Sequence, residues 1–171
     1  MKRVAIFREC RNGHRRTAGR DFLADCPSRV AEIFRYWESR RNGRAMPRRQ
    51  DISPEDFRNH LPRVILVDVE GLDEYGQGIY RYRVVGTEEA AQRGYDPTGR
   101  LVEEGFFGPD WENVQLCYET VRTSGGFLYD PCDYWTPDRQ WRCEHTIFLP
   151  LSEDGETVSQ ILVYSAVSKT G

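Results

Sequence analysis

The C-terminal part of the chain is a succession of three β-branched and aromatic runs, 127–135, 141–151 and 157–167, joined by Thr136-Pro137-Asp138-Arg139 and by a turn around Glu153-Asp154-Gly155. This pattern constrains the fold most, because connections this short cannot carry a crossover and consecutive strands must run antiparallel. Two earlier runs, 64–69 and 79–85, are separated by a Gly- and acid-containing linker and read as a hairpin with a longer loop. No crossover helix fits within the hairpin or between the last three strands, which argues against a doubly wound parallel sheet.

Helical periodicity fills the rest. Val30, Ile33, Phe34 and Trp37 recur at i, i+3, i+4 and i+7, the apolar stripe of an amphipathic helix predicted over 27–42 with Gly43 ending it. Ser53-Pro54-Glu55-Asp56 opens a short helix that stops near Leu61-Pro62, since Pro suits the first helical position and acids suit a helix N-terminus. A second short helix is predicted from Thr87 to Gly94. A longer one runs from Pro109 to Thr123, with Asp110 near its start and Trp111, Val114, Cys117, Tyr118 and Val121 on one stripe. The element order is therefore helix, two strands, several helices, three strands, an α+β chain whose antiparallel sheet has five strands.

With 39% hydrophobic and 30% charged residues among 171, the composition is that of one globular domain. No apolar run approaches the roughly 18 residues of a membrane helix, and the basic start lacks the apolar stretch of a signal peptide, so a cytoplasmic location is expected. The net charge of -3 conceals a polarity: residues 1–49 carry fourteen basic and five acidic side chains, a balance of +9, and the remainder carries ten against twenty-two, a balance of -12. The first 26 residues are expected to form a basic arm ahead of a single domain, 27–171, whose core spans 61–168. Such an arm either meets an anionic surface or is simply solvated, and residues 1–20 lack an interleaved aromatic platform for stacking bases.

The residues from Trp37 through Arg41-Asn42-Gly43-Arg44-Ala45-Met46-Pro47-Arg48-Arg49-Gln50-Asp51-Ile52-Ser53-Pro54 to Leu61-Pro62 resemble the opening of a bacterial PAS family of small, mostly stand-alone proteins. Tyr80-Arg81-Tyr82-Arg83-Val84-Val85-Gly86-Thr87, Gly94-Tyr95-Asp96-Pro97-Thr98-Gly99-Arg100 and Leu149-Pro150-Leu151-Ser152 with Asp154-Gly155 resemble its later signatures. The resemblance spans about Val30 to Val167. It implies a PAS fold, in which helices cover one face of the five-stranded sheet, a sensor or signal-transduction role without general catalytic activity, and no single agreed ligand. It transfers no cofactor residue, and no cofactor is assigned. A haem-binding PAS domain uses an axial ligand, usually His, from the long helix, and 109–123 contains none; a flavin photoreceptor of this class carries an Asn-Cys-Arg-Phe-Leu-Gln-like run that Gly86-Thr87-Glu88-Glu89 does not match.

The side chains expected to line a ligand pocket are Tyr82, Cys117, Tyr118, Tyr129 and His145, large or polarisable bodies with a few polar handles. The same aromatics suit a plain core or a sheet face that pairs with another subunit. Five cysteines, Cys10, Cys26, Cys117, Cys132 and Cys143, form an odd set with no C-x-x-C pair, which argues against a disulfide framework or zinc knuckle. An even-length loop centred on Pro137 and Asp138 sets Cys132 opposite Cys143 and Asp130 opposite His145. Directly opposed Cβ atoms lie about 4.5–5.5 Å apart, which leaves a redox or metal pair open beside the reading of two reduced cysteines. The adjacent acids Glu88-Glu89 and Glu103-Glu104 do not face one another on a helix and read as solvated carboxylates.

The principal reading is thus a non-catalytic PAS-type module that binds a small molecule or a signalling protein, with a homodimer formed through the N-terminal helix or a sheet face. The alternatives are a binder of nucleic acid or another anionic surface through the Arg-rich start, and a small pocket enzyme on a curved sheet. Phosphate-cradling and hydrolase motifs are missing, which disfavours the last.

Overall fold

The apolar stripe seen in the sequence becomes helix α1 (Ser28–Ser39), with Val30, Ile33, Phe34 and Trp37 all buried and Pro27 setting the extended turn before it. It ends three residues short of the predicted 42. Asn42 and Gly43, at φ 51° and 79°, then turn the chain back. In the computed structural model the described residues are 16–107, 110–135 and 139–169. Residues 1–15 of the basic arm, Pro109, and Thr136, Pro137 and Asp138 of the predicted turn lie outside them.

The five strands are β1 (Val64–Leu72), β2 (Gly78–Val85), β3 (Leu128–Trp135), β4 (Trp141–Leu151) and β5 (Gln160–Lys169), in the order β2-β1-β5-β4-β3. Every pairing is antiparallel; short connections require this of β1–β2, β3–β4 and β4–β5, and β1 pairs with the distant β5 in the same sense. Helices α2 (Thr87–Arg93), α3 (Val102–Gly105) and α4 (Trp111–Ser124) lie in sequence between β2 and β3. Among the described residues no helix is long and apolar enough to cross a membrane.

Strand alternation divides the sheet's side chains between two cores. Val64, Leu66, Ile147, Leu149, Leu162 and Tyr164 face α1 and pack with Phe34, Trp37 and Phe57. Ile65, Val67, Tyr80, Tyr82, Phe148 and Val163 face the other way and pack with Val102, Cys117, Tyr118 and Val121 of α3 and α4. Trp37 anchors α1 by more than its ring: its Nε1 donates to Pro150 O across the first core at 2.9 Å. A register shift between Leu66/Val84 and Val67/Tyr82 leaves Arg83 as an extra residue in β2. Strict alternation would place Val84 beside Tyr82, but the bulge turns it to the surface, where it is 46% exposed.

The expected boundary at residue 26 does not mark where packing stops. Thr17 exchanges two backbone hydrogen bonds with Tyr129, of 3.0 and 2.9 Å, covering the free edge of β3. A 3-10 turn over Arg20–Ala24 then inserts Phe22 into the first core, 5% exposed. Its ring stacks on Tyr129 at 4.7 Å and meets Phe34 edge-on at 5.1 Å. Residues 17–26 are thus part of the folded body, because Phe22, with Leu23 and Cys26 beside it, supplies the burial.

Candidate functional site

The two helices that shape the site are each positioned by a local rule. The Asp110 carboxylate caps α4 by accepting from Asn113 N at 2.7 Å, so the stripe of Val114, Cys117, Tyr118 and Val121 faces the sheet. Glu119 accepts from Gly78 N at 2.7 Å, from the Tyr80 hydroxyl, and from Arg122 Nη2 at 2.6 Å, which ties α4 to β2. Gly86 brings the start of α2 against backbone: a Cβ there would lie 2.4 Å from the carbonyl oxygens of Leu61 and Pro62. With α2 held that close, its inner side carries Glu89 and Arg93 to the sheet.

Between the sheet and these helices is a cavity of about 70 Å³. From the sheet, Asp130 and Cys132 of β3, Glu144 and Thr146 of β4 and Ser165 of β5 line it, a polar patch on an otherwise apolar face. From the helical side come Glu89, Arg93, Val114, Cys117 and Tyr118, with Arg16 reaching in from the N-terminal segment. Glu89 and Arg93 are an i,i+4 ion pair at 3.1 Å whose side chains are 4% and 6% exposed. Arg93 also donates to Gly105 O and Glu89 O, each at 2.8 Å. Arg16 Nε lies 3.2 Å from Asp130 Oδ1, and its Nη2 donates to Asn113 Oδ1.

Burial raises the Glu89 pKa above the ordinary carboxylate value; the nearby Glu144 charge adds to this, and Arg93 and Arg63 oppose it. Cys117 is pushed up as well, by burial first and by Asp130 second; its Sγ–H donates to Asp130 Oδ2 at 3.5 Å. Tyr82 and Tyr118 are raised by the same loss of solvent.

Three residues of the expected pocket, Tyr82, Cys117 and Tyr118, line this cavity. Tyr129 and His145 do not. They lie on the opposite face, Tyr129 against Phe22, where the Tyr129 hydroxyl sits 2.5 Å from His145 Nδ1 and His145 Nε2 sits 2.9 Å from Ser168 Oγ. The cysteine pairing is also corrected. Cys132 opposes Glu144, Cys143 opposes Asp133, and Pro131 rather than Asp130 opposes His145. The loop between Trp135 and Trp141 has an odd number of residues, five, and that shift of one sends Cys132 to the cavity and Cys143 to the other face. Among the described residues no group of three or more His, Cys, Asp or Glu is arranged to hold a metal.

The solvated reading holds for Glu88, Glu103 and Glu104, which are exposed, and fails for Glu89, which is 3% exposed. Its partner is Arg93 one turn on, and the two charges neutralise one another in the interior. Asp130, Glu144, Thr146 and Ser165 were also missed, although polar residues at alternate positions within apolar strands mark a buried polar patch.

Residues 26–163 match the PAS domain family. The chain belongs to the PAS domain family. PAS domains serve as sensory and regulatory modules rather than as catalysts, and the five-stranded antiparallel sheet with its helices is their fold. Three solved light-oxygen-voltage structures show a similarity to this PAS domain. One, described with a flavin analogue, is 10% identical over 67% of this chain and 83% of its own, with a TM-score of 0.47. An RNA-binding light-oxygen-voltage receptor is 11% identical over 66% of this chain and 32% of its own, with a TM-score of 0.43. The light state of the blue-light photoreceptor Aureochrome1 is 14% identical over 68% of this chain and 88% of its own, with a TM-score of 0.43. No curated protein matches this PAS domain.

Proposed function

We propose that this PAS domain is a non-catalytic regulatory module of the cytoplasm that holds a small molecule in the cavity between its sheet and α2 to α4 and passes its occupancy to a signalling partner. The cavity's polar lining carries the reading. Burying Glu89, Arg93, Asp130 and Glu144 around a void contributes less to stability than an apolar filling of the same volume, whereas a few placed polar groups in a largely apolar pocket orient a ligand. The Glu89–Arg93 pair sits on α2, which Gly86 holds against the backbone of Leu61 and Pro62. A ligand that draws on this pair therefore acts on an element that reaches the surface.

The alternatives draw less support from the same geometry. Burial moves the Cys117 thiol away from the thiolate that a nucleophile requires. Arg20, Arg40 and Arg44, three of the nine arginines in 16–49, are ion-paired with Glu38, Asp56 and Asp51, so part of this basic charge is matched within the fold. Because α1 covers one sheet face, a homodimer would use the outer surface of α1 or a strand edge.

Native mass spectrometry of the full chain purified from its own host tests the proposal. A retained small-molecule adduct is expected, and Ser165→Leu, which fills the cavity from β5, should abolish it. A protein that carries no adduct, and whose melting midpoint does not respond to a host small-molecule extract, would overturn the reading.

A further inference from the structure

The ligand-sensing reading leaves the ligand's chemistry open, and the hydrogen bonds of the cavity lining narrow it. Several lining groups satisfy one another. The Thr146 and Ser165 hydroxyls meet at 2.9 Å, the Cys117 thiol donates to Asp130 Oδ2, and Arg93 donates to Gly105 O, Glu89 O and Glu89 Oε2. Two lining atoms of opposite kind, from separate elements, have no hydrogen bond. Glu89 Oε1 on α2 is a buried acceptor without a partner, in a side chain 4% exposed. Arg16 Nε, from the N-terminal segment, is a buried donor without one: it faces Asp130 Oδ1 at 3.2 Å as an ion pair but out of line for a hydrogen bond. A buried polar atom without a partner is the exception in folded proteins, so each of the two calls for its complement.

Charge of both signs surrounds this space. Glu89 and Glu144 stand with Arg16 and Arg93 in the lining, and Arg63 acts on Glu89 as well, so an ion of either sign meets a like charge. A cation at Glu89 Oε1 would supply that donor and leave Arg16 Nε without an acceptor; an anion at Arg16 would do the reverse. An uncharged molecule that both donates and accepts answers the two atoms together and brings no new charge into a buried site. Size sets the other limit. The volume of about 70 Å³ is under half of the roughly 150 Å³ that admits benzene in an engineered lysozyme cavity, so about three or four heavy atoms fit without movement. Val114, Phe148 and Val163 supply an apolar wall for a methyl group.

We propose that the cavity binds a small uncharged molecule carrying a donor and an acceptor, a carboxamide in its simplest form, whose N–H donates to Glu89 Oε1 and whose carbonyl oxygen accepts from Arg16 Nε. This inference rests on the reading of the cavity as the ligand site. It makes the N-terminal segment part of that site, because the acceptor end of the ligand is held by Arg16, one residue ahead of the Thr17 pairing with the edge of β3.

Two-dimensional ¹H–¹⁵N NMR on the full chain is the test, with four probes of one shape titrated at constant ionic strength: acetamide, which donates and accepts; acetone, which only accepts; acetamidinium, a cation that only donates; and acetate, an anion that only accepts. Acetamide is expected to shift the amides of Glu89, Thr146 and Ser165 saturably, with roughly millimolar affinity for so few atoms, and to bind more tightly than the other three. Glu89→Gln puts an N–H where Oε1 stood, since Arg93 claims the remaining oxygen, and Arg16→Met removes the donor while keeping an apolar stem; each should weaken acetamide about tenfold, the loss of one hydrogen bond. If Glu89→Gln does not fold, Arg16→Met and the cavity-filling Ser165→Leu carry the test from outside the Glu89–Arg93 pair, and Ser165→Leu should abolish the shifts. Acetamide that does not bind, or that binds Arg16→Met as tightly as the parent, overturns the inference. Acetone, acetamidinium or acetate binding as tightly as acetamide overturns it too, while leaving the sensor reading intact; no binding of any probe, together with no adduct from the host, overturns both.

Discussion

Phe22→Ala asks whether the residues ahead of α1 belong to the cooperative fold. Phe22 is 5% exposed and has three aromatic neighbours, Tyr129, Phe34 and Phe127, at centroid distances of 4.7, 5.1 and 5.5 Å. Truncating a buried Phe costs about 3–5 kcal/mol through lost transfer energy and the cavity left behind. A short segment near the described N-terminus can partly collapse into that space, so the lower end, about 3 kcal/mol, is expected. For a chain of this size that is a fall in melting midpoint of roughly 6–12 °C. In urea, with a slope of about 2 kcal/mol per M, it moves the midpoint down by roughly 1.5 M without changing the slope. Phe22→Leu keeps an apolar filling and should lose about 1 kcal/mol. The assay is equilibrium unfolding followed by tryptophan fluorescence, because Trp37 lies in the same core as Phe22. A Phe22→Ala loss below about 1 kcal/mol would refute the reasoning, since the segment would then be fraying independently of the domain.

Three further outcomes follow from the geometry. Gly86→Ala should cost about 3 kcal/mol or more and displace α2, because its Cβ would meet fixed carbonyl oxygens at 2.4 Å; Gly43→Ala, at φ 79° with nothing near, should cost only about 1–2 kcal/mol, and similar urea midpoints for the two would refute the contrast. His145 and Glu89 make opposed contributions to the pH dependence of unfolding. His145 is held below its ordinary 6.5 by burial, so stability is full above 6.5 and falls as pH drops through the lowered folded-state value; Glu89 is raised above 4.5, so its contribution is full below 4.5 and is lost as pH rises through the raised value. His145→Phe should shrink the first contribution and Glu89→Gln the second in urea midpoints measured across that range, and a fall on acidification as large in His145→Phe as in the parent would count against the assignment. Finally, mild oxidation followed by peptide mass mapping should give no peptide joining Cys132 to Cys143, which lie on opposite faces of the sheet; finding that peptide would overturn the observed register.

The fold was legible because its signals are local. A 3.6-residue period from Val30 to Trp37, alternating β-branched runs and turns too short for a crossover each depend on neighbours in sequence, and together they admit few topologies. The candidate site was legible only in part. Tyr82, Cys117 and Tyr118 could be read because they sit on an apolar stripe or strand face. The buried pair Glu89–Arg93 could not, because a charged i,i+4 pair on a short helix has the same pattern whether it faces water or the core.

The sequence by itself determined the element order, the antiparallel sheet and the amphipathic helix that covers it, since those follow from periodicity and chain length between strands. Only the tertiary structure decided which face each strand residue meets. One residue more in the β3–β4 loop moves Cys132, Asp130 and Glu144 to the cavity, and Tyr129, Cys143 and His145 to the opposite face. The physical reason is the two-residue period of a strand: a register error of one leaves the hydrogen-bonded ladder equally regular and inverts every side chain, so only packing against α1 on one face and α4 on the other selects between them.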